Sequence, residues 1–224
     1  MRYHNSTALM ALSITASALL LSTNAAADSP PFYFELDIKQ QHIPMEGNSQ
    51  LETHSLGIRY RENLADNVGI DMNMGRLGVD HQNNSNALGY SPAGYHAGLG
   101  LSANTAASHR IQAGIDVNYS YYFSDQTLAE DKIEIRWTQT EARLRLAIQL
   151  TPRLKAYGCA FVIRLDGKQK LTGTTTAETQ LDNRDSAGQC GGLRWETEDN
   201  GIVGIEANGG ALNGGRIYFG RWFN

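Results

Sequence analysis

Apolar residues recur at every second position through almost the whole chain. In residues 111–121, for example, Ile111, Ile115 and Tyr119 alternate with small or polar residues such as Asp116. A period of two is the pattern of a β-strand with one apolar face and one polar face. About ten such segments follow one another and the 3.6-residue period of a helix is rare, so the pattern predicts an all-β chain.

The polar connectors between these segments differ in length according to the end of the sheet at which they fall. The connectors at one end are short: residues 61–67, 104–108, 151–153 and 198–201. Those at the other end are mostly longer: residues 44–50, 78–92, 123–132, 166–185 and 209–214. This asymmetry is typical of bacterial outer-membrane barrels. The predicted fold is a closed antiparallel up-and-down transmembrane β-barrel of about ten strands, with eight strands as the alternative.

The composition is compatible with this fold and argues against several others. The chain is 41% hydrophobic, but its only long apolar run is residues 8–21, so no transmembrane helix is expected later in the chain. A net charge of −4 gives no basic excess, and we therefore expect no nucleic-acid partner. The 23 glycines and ten tyrosines favour turns and strands over helices.

The apolar run at the start of the chain has the features of an export signal. It follows the basic residue Arg2 and is followed by three alanines at positions 25–27. A basic start, an apolar segment and a small-residue end are typical of a secretory signal peptide. We therefore predict a signal peptide over residues 1–27 and a barrel domain over residues 28–224.

A closed barrel would place one face of each strand against lipid and the other face in the lumen, because hydrocarbon leaves no water for an open sheet edge. The aromatic residues near strand ends are expected at the membrane interfaces: Tyr60, Tyr95, Tyr119, Tyr121, Trp195 and Phe223. The opposite face predicts a polar network in the lumen: Glu35, Asp37, Lys39, Arg59, Asp71, Asp116, Glu141, Arg143, Arg145, Arg194 and Arg216. His96, Glu196 and Glu206 lie on the same face. These charges could form a salt-bridged plug or line a narrow channel. Small barrels are mostly filled by side chains, which favours the plug.

Several segments resemble the repeated hairpins of small outer-membrane barrels of the OmpA, OmpX and opacity type. They are residues 55–78, 149–158 and 192–195, and residues 215–223 are similar to the aromatic last strand of that class. The resemblance implies export to the outer membrane of a Gram-negative bacterium. It also implies two partners, the outer-membrane lipid and the barrel-assembly machinery, which would recognise the C-terminal strand.

Cys159 and Cys190 are the only cysteines, and an exported chain permits a disulfide between them. The alternation puts Cys190 on the lumen face. It puts Cys159 with Tyr157 and Phe161, which we expect to face lipid, so the pairing stays open. The histidines show no metal-ligand spacing, and neither a metal nor a cofactor is expected.

The function predicted from these features is a non-enzymatic integral outer-membrane protein, either structural or a narrow passive pore. One alternative is an adhesin or ligand-binding barrel that uses the polar residues 83–86 and 172–179 to bind an extracellular ligand.

The other alternative is a hydrolase at the barrel rim. It would use candidate residues gathered at the loop end. These are His42, His54 and His81, with Asp80 or Glu52.

Overall fold

The structure is a computed structural model that describes residues 32–65, 67–84, 87, 89–105 and 110–223. The predicted signal peptide lies outside these described residues, so it stays a prediction. Within the described part of the chain, no helix has the length and apolarity that a membrane span requires.

The described residues form one antiparallel sheet of eleven strands. The strands are β1 (Phe32–Pro44), β2 (Gln50–Ala65), β3 (Val68–Gln82), β4 (Ala93–Asn104), β5 (Ile111–Leu128), β6 (Asp131–Gln149), β7 (Leu154–Thr172), β8 (Ala177–Asp182), β9 (Ala187–Glu196), β10 (Gly201–Gly210) and β11 (Asn213–Phe223). Neighbours in sequence pair with each other except β8 and β9, which both pair with β7, and β1 pairs with β11, so the sheet closes into a ring.

Two of the eleven strands, β8 and β9, share one position in the ring. Both β8 and β9 pair with β7, β8 opposite residues 166–171 and β9 opposite residues 154–162. Between them, residues 183–186 form an irregular step in which the side chain of Asn183 accepts a hydrogen bond from the backbone N–H of Leu165 at 2.8 Å. The barrel therefore has ten crossings, as the main prediction stated, and the eight-strand alternative is wrong.

Apart from the step between β8 and β9, the strands are joined at the two ends of the barrel. The end that holds residues 32 and 223, here called the terminal end, joins β2 to β3, β4 to β5, β6 to β7 and β9 to β10. The opposite end, here called the loop end, joins β1 to β2, β3 to β4, β5 to β6, β7 to β8 and β10 to β11.

The prediction of long loops at the loop end is wrong in most places. Strands β5 and β6 continue through the segment predicted as a loop at residues 123–132 and are joined by residues 129–130 alone. Residues 166–185 are likewise mostly strand, in β7 and β8. These segments alternate as strands do, but from Asp125 onward the outward positions carry charged or polar residues such as Asp125, Lys132 and Lys170, so they lack the apolar outer face expected of a membrane strand.

Along β6 the apolar residues change from the inner face of the barrel wall to the outer face. Near the loop end, Ile133, Ile135 and Trp137 point into the barrel and are at most 1% exposed. Nearer the terminal end the inward side chains are charged, whereas Leu144 and Leu146 point outward and are 56% and 58% exposed. The height at which the apolar residues change from the inner to the outer face marks the edge of the apolar outer surface.

This apolar outer surface, here called the belt, surrounds the whole barrel. Each of the ten crossings contributes at least one outward apolar side chain that is 37–58% exposed: Leu36, Ile58, Met72, Leu99, Val117, Leu144, Val162, Leu193, Ile205 and Phe219. The predicted interface aromatics Tyr95, Tyr119, Trp195 and Phe223 also point outward and are exposed. A belt of this kind is stable only against hydrocarbon, because apolar surface on this scale is unfavourable in water.

A charge introduced into the belt tests this assignment. Leu99 lies midway along the outward face of β4, so Leu99→Arg is expected to lower the free energy of unfolding in lipid vesicles by about 2–4 kcal/mol. Thr127→Arg, on an exposed position beyond the belt, is the matched control and should change it by less than about 1 kcal/mol. Equal effects in denaturant titrations would contradict the assignment.

Candidate functional site

The lumen at the level of the belt contains a network of ion pairs that joins strands from around the ring. Arg143 on β6 donates to Glu206 on β10 at 2.9 Å, and Arg216 on β11 contacts both Glu206, at 3.4 Å, and Glu35 on β1, at 3.2 Å. The carboxylate of Glu206 also accepts a hydrogen bond from the Tyr157 hydroxyl at 3.0 Å.

A second group of charges continues the network on the other side of the ring. Arg61 makes two hydrogen bonds to Asp71, of 2.8 and 3.1 Å, and its Nη2 lies 3.5 Å from Asp116. Arg145 reaches the same Asp116 at 3.6 Å. Arg59 lies between the two groups, 3.9 Å from Glu35 and 4.0 Å from Asp71. Buried charges are costly unless they are paired, and here each carboxylate has at least one guanidinium partner.

The structure brings most of the predicted lumen residues into this network or beside it. Glu141 pairs with Arg143 at 2.8 Å. Asp37 and Lys39 line a central cavity of about 90 Å³ in the same lumen, together with His96. Arg194 lies nearer the terminal end and pairs with Glu196 at 3.0 Å.

Of the central members of the network, the sequence-based prediction omits Arg61 and includes Glu206 without its partners. Arg61 follows Gly57 and Arg59 on the inward face of β2, so the period of two identifies it. The predicted turn at residues 61–67 excludes it, whereas the strand extends to Ala65. Glu206 lies on the inward face as predicted, but only its contacts with Arg143 and Arg216 reveal its role.

Interior tyrosines at the terminal end lie over glycines of the neighbouring strand. A Cβ atom at Gly204 would come within 2.1 Å of the Tyr218 ring, and one at Gly220 within 2.2 Å of the Tyr33 hydroxyl. Glycine is therefore required at both positions, because the rings occupy the space that any side chain would need. These tyrosines fill the narrow lumen without pushing the strands apart.

An apolar core, here called the cap, fills the barrel at the loop end. It consists of seventeen buried residues: Ile43, Met45, Leu51, Leu77, Val79, Ala87, Tyr122, Ile133, Ile135, Trp137, Phe161, Ile163, Leu165, Leu171, Leu181, Ala211 and Leu212. The rings of Tyr122 and Trp137 stack at 4.6 Å. Most of the cap lies beyond the belt, where the barrel has the polar outer face and apolar interior of a water-soluble protein.

The terminal end contains a polar cavity of about 420 Å³, here called the vestibule. Residues of the turns at that end form its rim: Asn67, Thr105, Thr197 and Asn200. Its inner wall carries charged and aromatic side chains, and it ends against Arg145 and Arg216 of the ion-pair network. From the terminal end to the loop end, the lumen therefore contains a vestibule, an ion-pair layer and an apolar cap.

Cys159 and Cys190 lie directly opposite each other on β7 and β9, with their Cα atoms 4.9 Å apart and their sulfur atoms bonded. The expectation that Tyr157, Cys159 and Phe161 face lipid is wrong, because all three point into the lumen. The outward residues of this stretch are mainly the small Gly158 and Ala160. The prediction assigned the larger apolar side chains to the lipid face, and here they lie on the inner face instead.

The three histidines of the hydrolase hypothesis do not come together. His42 and His54 point outward and flank Glu52, at 3.7 and 3.1 Å. His81 points into the barrel, where its Nδ1 lies 2.6 Å from the side-chain oxygen of Gln169. The barrel wall separates the two sets, because neighbouring positions along a strand face opposite sides. Among the described residues, no cluster of three or more His, Cys, Asp or Glu is arranged to hold a metal ion.

No family model matches the chain, and no curated protein matches it either. Several solved structures match its fold. OmpT, an outer membrane protease from Escherichia coli, is 8% identical with a TM-score of 0.50, and the match covers 89% of this chain and 96% of OmpT. The β domain of the Bordetella autotransporter BrkA is 10% identical with a TM-score of 0.50, and covers 88% and 100%. The translocator domain of the autotransporter NalP from Neisseria meningitidis is 14% identical with a TM-score of 0.48, and covers 99% of each chain.

These proteins share the fold of outer-membrane β-barrels, and they are not specifically barrels of the OmpA or OmpX type. The closed ring and the belt identify the chain as a transmembrane β-barrel, and its fold is that of outer-membrane β-barrels. At identities of 8–10% the likeness concerns the fold and carries no activity over to this chain.

Removing the charge of Glu206 tests the ion-pair layer. Glu206→Gln leaves Arg143 and Arg216 without their shared carboxylate, so we expect the free energy of unfolding to fall by about 3–5 kcal/mol. The control is Glu198→Gln, which removes the partner of Arg153 in an exposed pair and should cost less than about 1 kcal/mol. A Glu206 variant as stable as this control in denaturant titrations would show that the network contributes little.

The cysteine pair can be tested by thiol blocking. We expect iodoacetamide to label neither cysteine of the unfolded, unreduced protein in mass spectra, and both after reduction. Replacing both cysteines by alanine opens a loop with a sequence separation of 31 residues and should lower stability by about 3–4 kcal/mol, because the unfolded chain gains entropy. Labelling of both cysteines before reduction would exclude the disulfide.

Proposed function

We propose that the protein is a closed, non-enzymatic structural barrel of the outer membrane that does not conduct. The observation that carries the proposal is that the lumen is obstructed at two successive levels, by the ion-pair layer and by the cap. A passive pore needs a continuous aqueous path, and each obstruction interrupts that path for a different physical reason.

The ion-pair layer crosses the lumen from wall to wall. Its contacts join β6 to β10 and β2 to β5, strands that are not neighbours in the ring. The remaining central cavity is about 90 Å³, enough for only a few water molecules. To pass, a hydrated ion would have to separate paired charges that have little water to replace their partners.

The cap closes the loop end with apolar side chains. Leu165 is 2% exposed and Leu212 is fully buried, and both belong to one continuous core. A dry apolar constriction excludes ions because they would lose their hydration shell within it. This obstruction supports a structural role over the passive pore that the sequence also allowed.

Neither alternative function has a specific observation in its favour. The adhesin hypothesis depended on long loops, whereas within residues 172–179 only residues 173–176 connect β7 to β8 and the others belong to these strands. The hydrolase hypothesis depended on a histidine cluster that the barrel wall divides. The absence of an activity and of an extracellular ligand stays part of the proposal.

We also propose that β11 is the strand by which the barrel-assembly machinery recognises the chain. It closes the ring against β1, and the rings of Phe32 and Phe223 stack at 5.0 Å at the start of this seam. Its outward face ends in an aromatic side chain, which supports this role.

Planar-bilayer recording tests the structural role directly. The folded protein is expected to give no stable single-channel steps, because neither obstruction opens without separating buried groups. A general porin in the same bilayer is the positive control. Gel mobility with and without boiling should show that the inserted protein is folded. Stable, voltage-independent steps from the folded protein would overturn the proposal in favour of the passive pore.

A further inference from the structure

The vestibule at the terminal end is large enough to hold a small organic molecule. Its volume of about 420 Å³ lies within the range of known ligand sites. In outer-membrane barrels the chain extends further from the membrane on the extracellular side than on the periplasmic side. Here β5, β6 and β7 extend beyond the belt at the loop end, so the vestibule opens to the periplasm while the cap closes the opposite end. A molecule in the vestibule would therefore enter and leave from the periplasmic side.

The vestibule wall carries more cationic than anionic side chains. Among the described residues, six cations and two carboxylates line it: Arg59, Arg61, Arg145, Lys155, Arg194 and Arg216, with Glu35 and Glu196. Carboxylates of the ion-pair layer hold four of the cations, Arg59, Arg61, Arg145 and Arg216. The positive charge that remains lies on Lys155 and Arg194.

Lys155 and Arg194 are placed side by side although their charges repel. They are register partners on β7 and β9, and both contact the same oxygen of Glu196, at 2.9 and 3.0 Å. Like charges opposite each other in a sheet are unfavourable, and one carboxylate cannot neutralise two cations.

The hydrogen-bonding capacity of this wall is also incomplete. The Nε–H groups of Arg194 and Arg216 are buried, and within the described part of the chain neither has a hydrogen-bond partner. An unsatisfied buried donor is costly, and both residues line the vestibule. The Arg194 side chain as a whole is 32% exposed, so a bound anion would reach it and supply the missing negative charge.

Aromatic side chains form another part of the same wall. Tyr33 and Trp222 lie with their ring centroids 4.8 Å apart, and both line the vestibule with Tyr157. Flat apolar surfaces of this kind bind planar groups well.

We propose that the vestibule binds a small periplasmic organic anion, with its carboxylate or phosphate group at Lys155 and Arg194 and a planar apolar part against the aromatic side chains. This binding goes beyond the structural role and does not depend on it, because it needs the vestibule and not the state of the cap.

Isothermal titration of the folded protein in a non-ionic detergent tests the proposal with four probes: phenyl phosphate, benzoate, inorganic phosphate and benzylamine. Phenyl phosphate or benzoate should bind at least tenfold more tightly than benzylamine. All three carry a benzene ring, but benzylamine is positively charged and the other two are negatively charged. Whichever of the two binds more tightly identifies the anionic group. Weaker binding of inorganic phosphate than of phenyl phosphate would support the contribution of the aromatic wall.

Matched variants distinguish the vestibule from general attraction to the protein. Arg194→Gln and, as a second variant, Lys155→Gln should each weaken anion binding at least tenfold. Arg221→Gln, on the outer surface at the same end, should leave binding unchanged. The unboiled gel mobility confirms that each variant is folded. The proposal is overturned if the anions bind no better than benzylamine, or if the Arg221 variant loses as much binding as the other two.

Discussion

The whole architecture depends on one constraint, that every backbone N–H and C=O inside hydrocarbon must have a partner within the protein. An open sheet fails this requirement at its two edges. Here the pairing of β1 with β11 and of β6 with β7 leaves each crossing with a neighbour on both sides. Closure with ten crossings then determines a lumen so narrow that side chains from opposite walls meet.

The contents of that lumen change with height because the surroundings of the barrel change. At the level of the belt the exterior is lipid, so outward leucines and valines are stable and the charges lie inside, where they pair with each other. Beyond the belt the exterior is water, and the hydrophobic effect places apolar side chains inside again. Trp137 and Arg143, six positions apart on the inward face of β6, mark the two sides of this change.

The strands and most of their faces were predictable because the period of two is a local property of each segment. The prediction failed where the outward face ceased to be apolar, as at residues 123–132, and where the outward residues were small, as around Cys159. The partners within the ion-pair layer were not predictable. Arg143 and Glu206 are 63 residues apart in the chain, and only closure of the ring brings β6 within reach of β10.

The sequence by itself determined that the chain forms amphipathic strands, that about ten of them cross the membrane, and that Glu35, Arg143 and Arg216 lie on the inner face. Those properties follow from the alternation of side chains along each strand, which needs no knowledge of the partner strands. Only the tertiary structure decided that the lumen is divided into a vestibule, an ion-pair layer and a cap. That division depends on which side chains meet across the ring, and the distance between them is a property of the closed barrel as a whole.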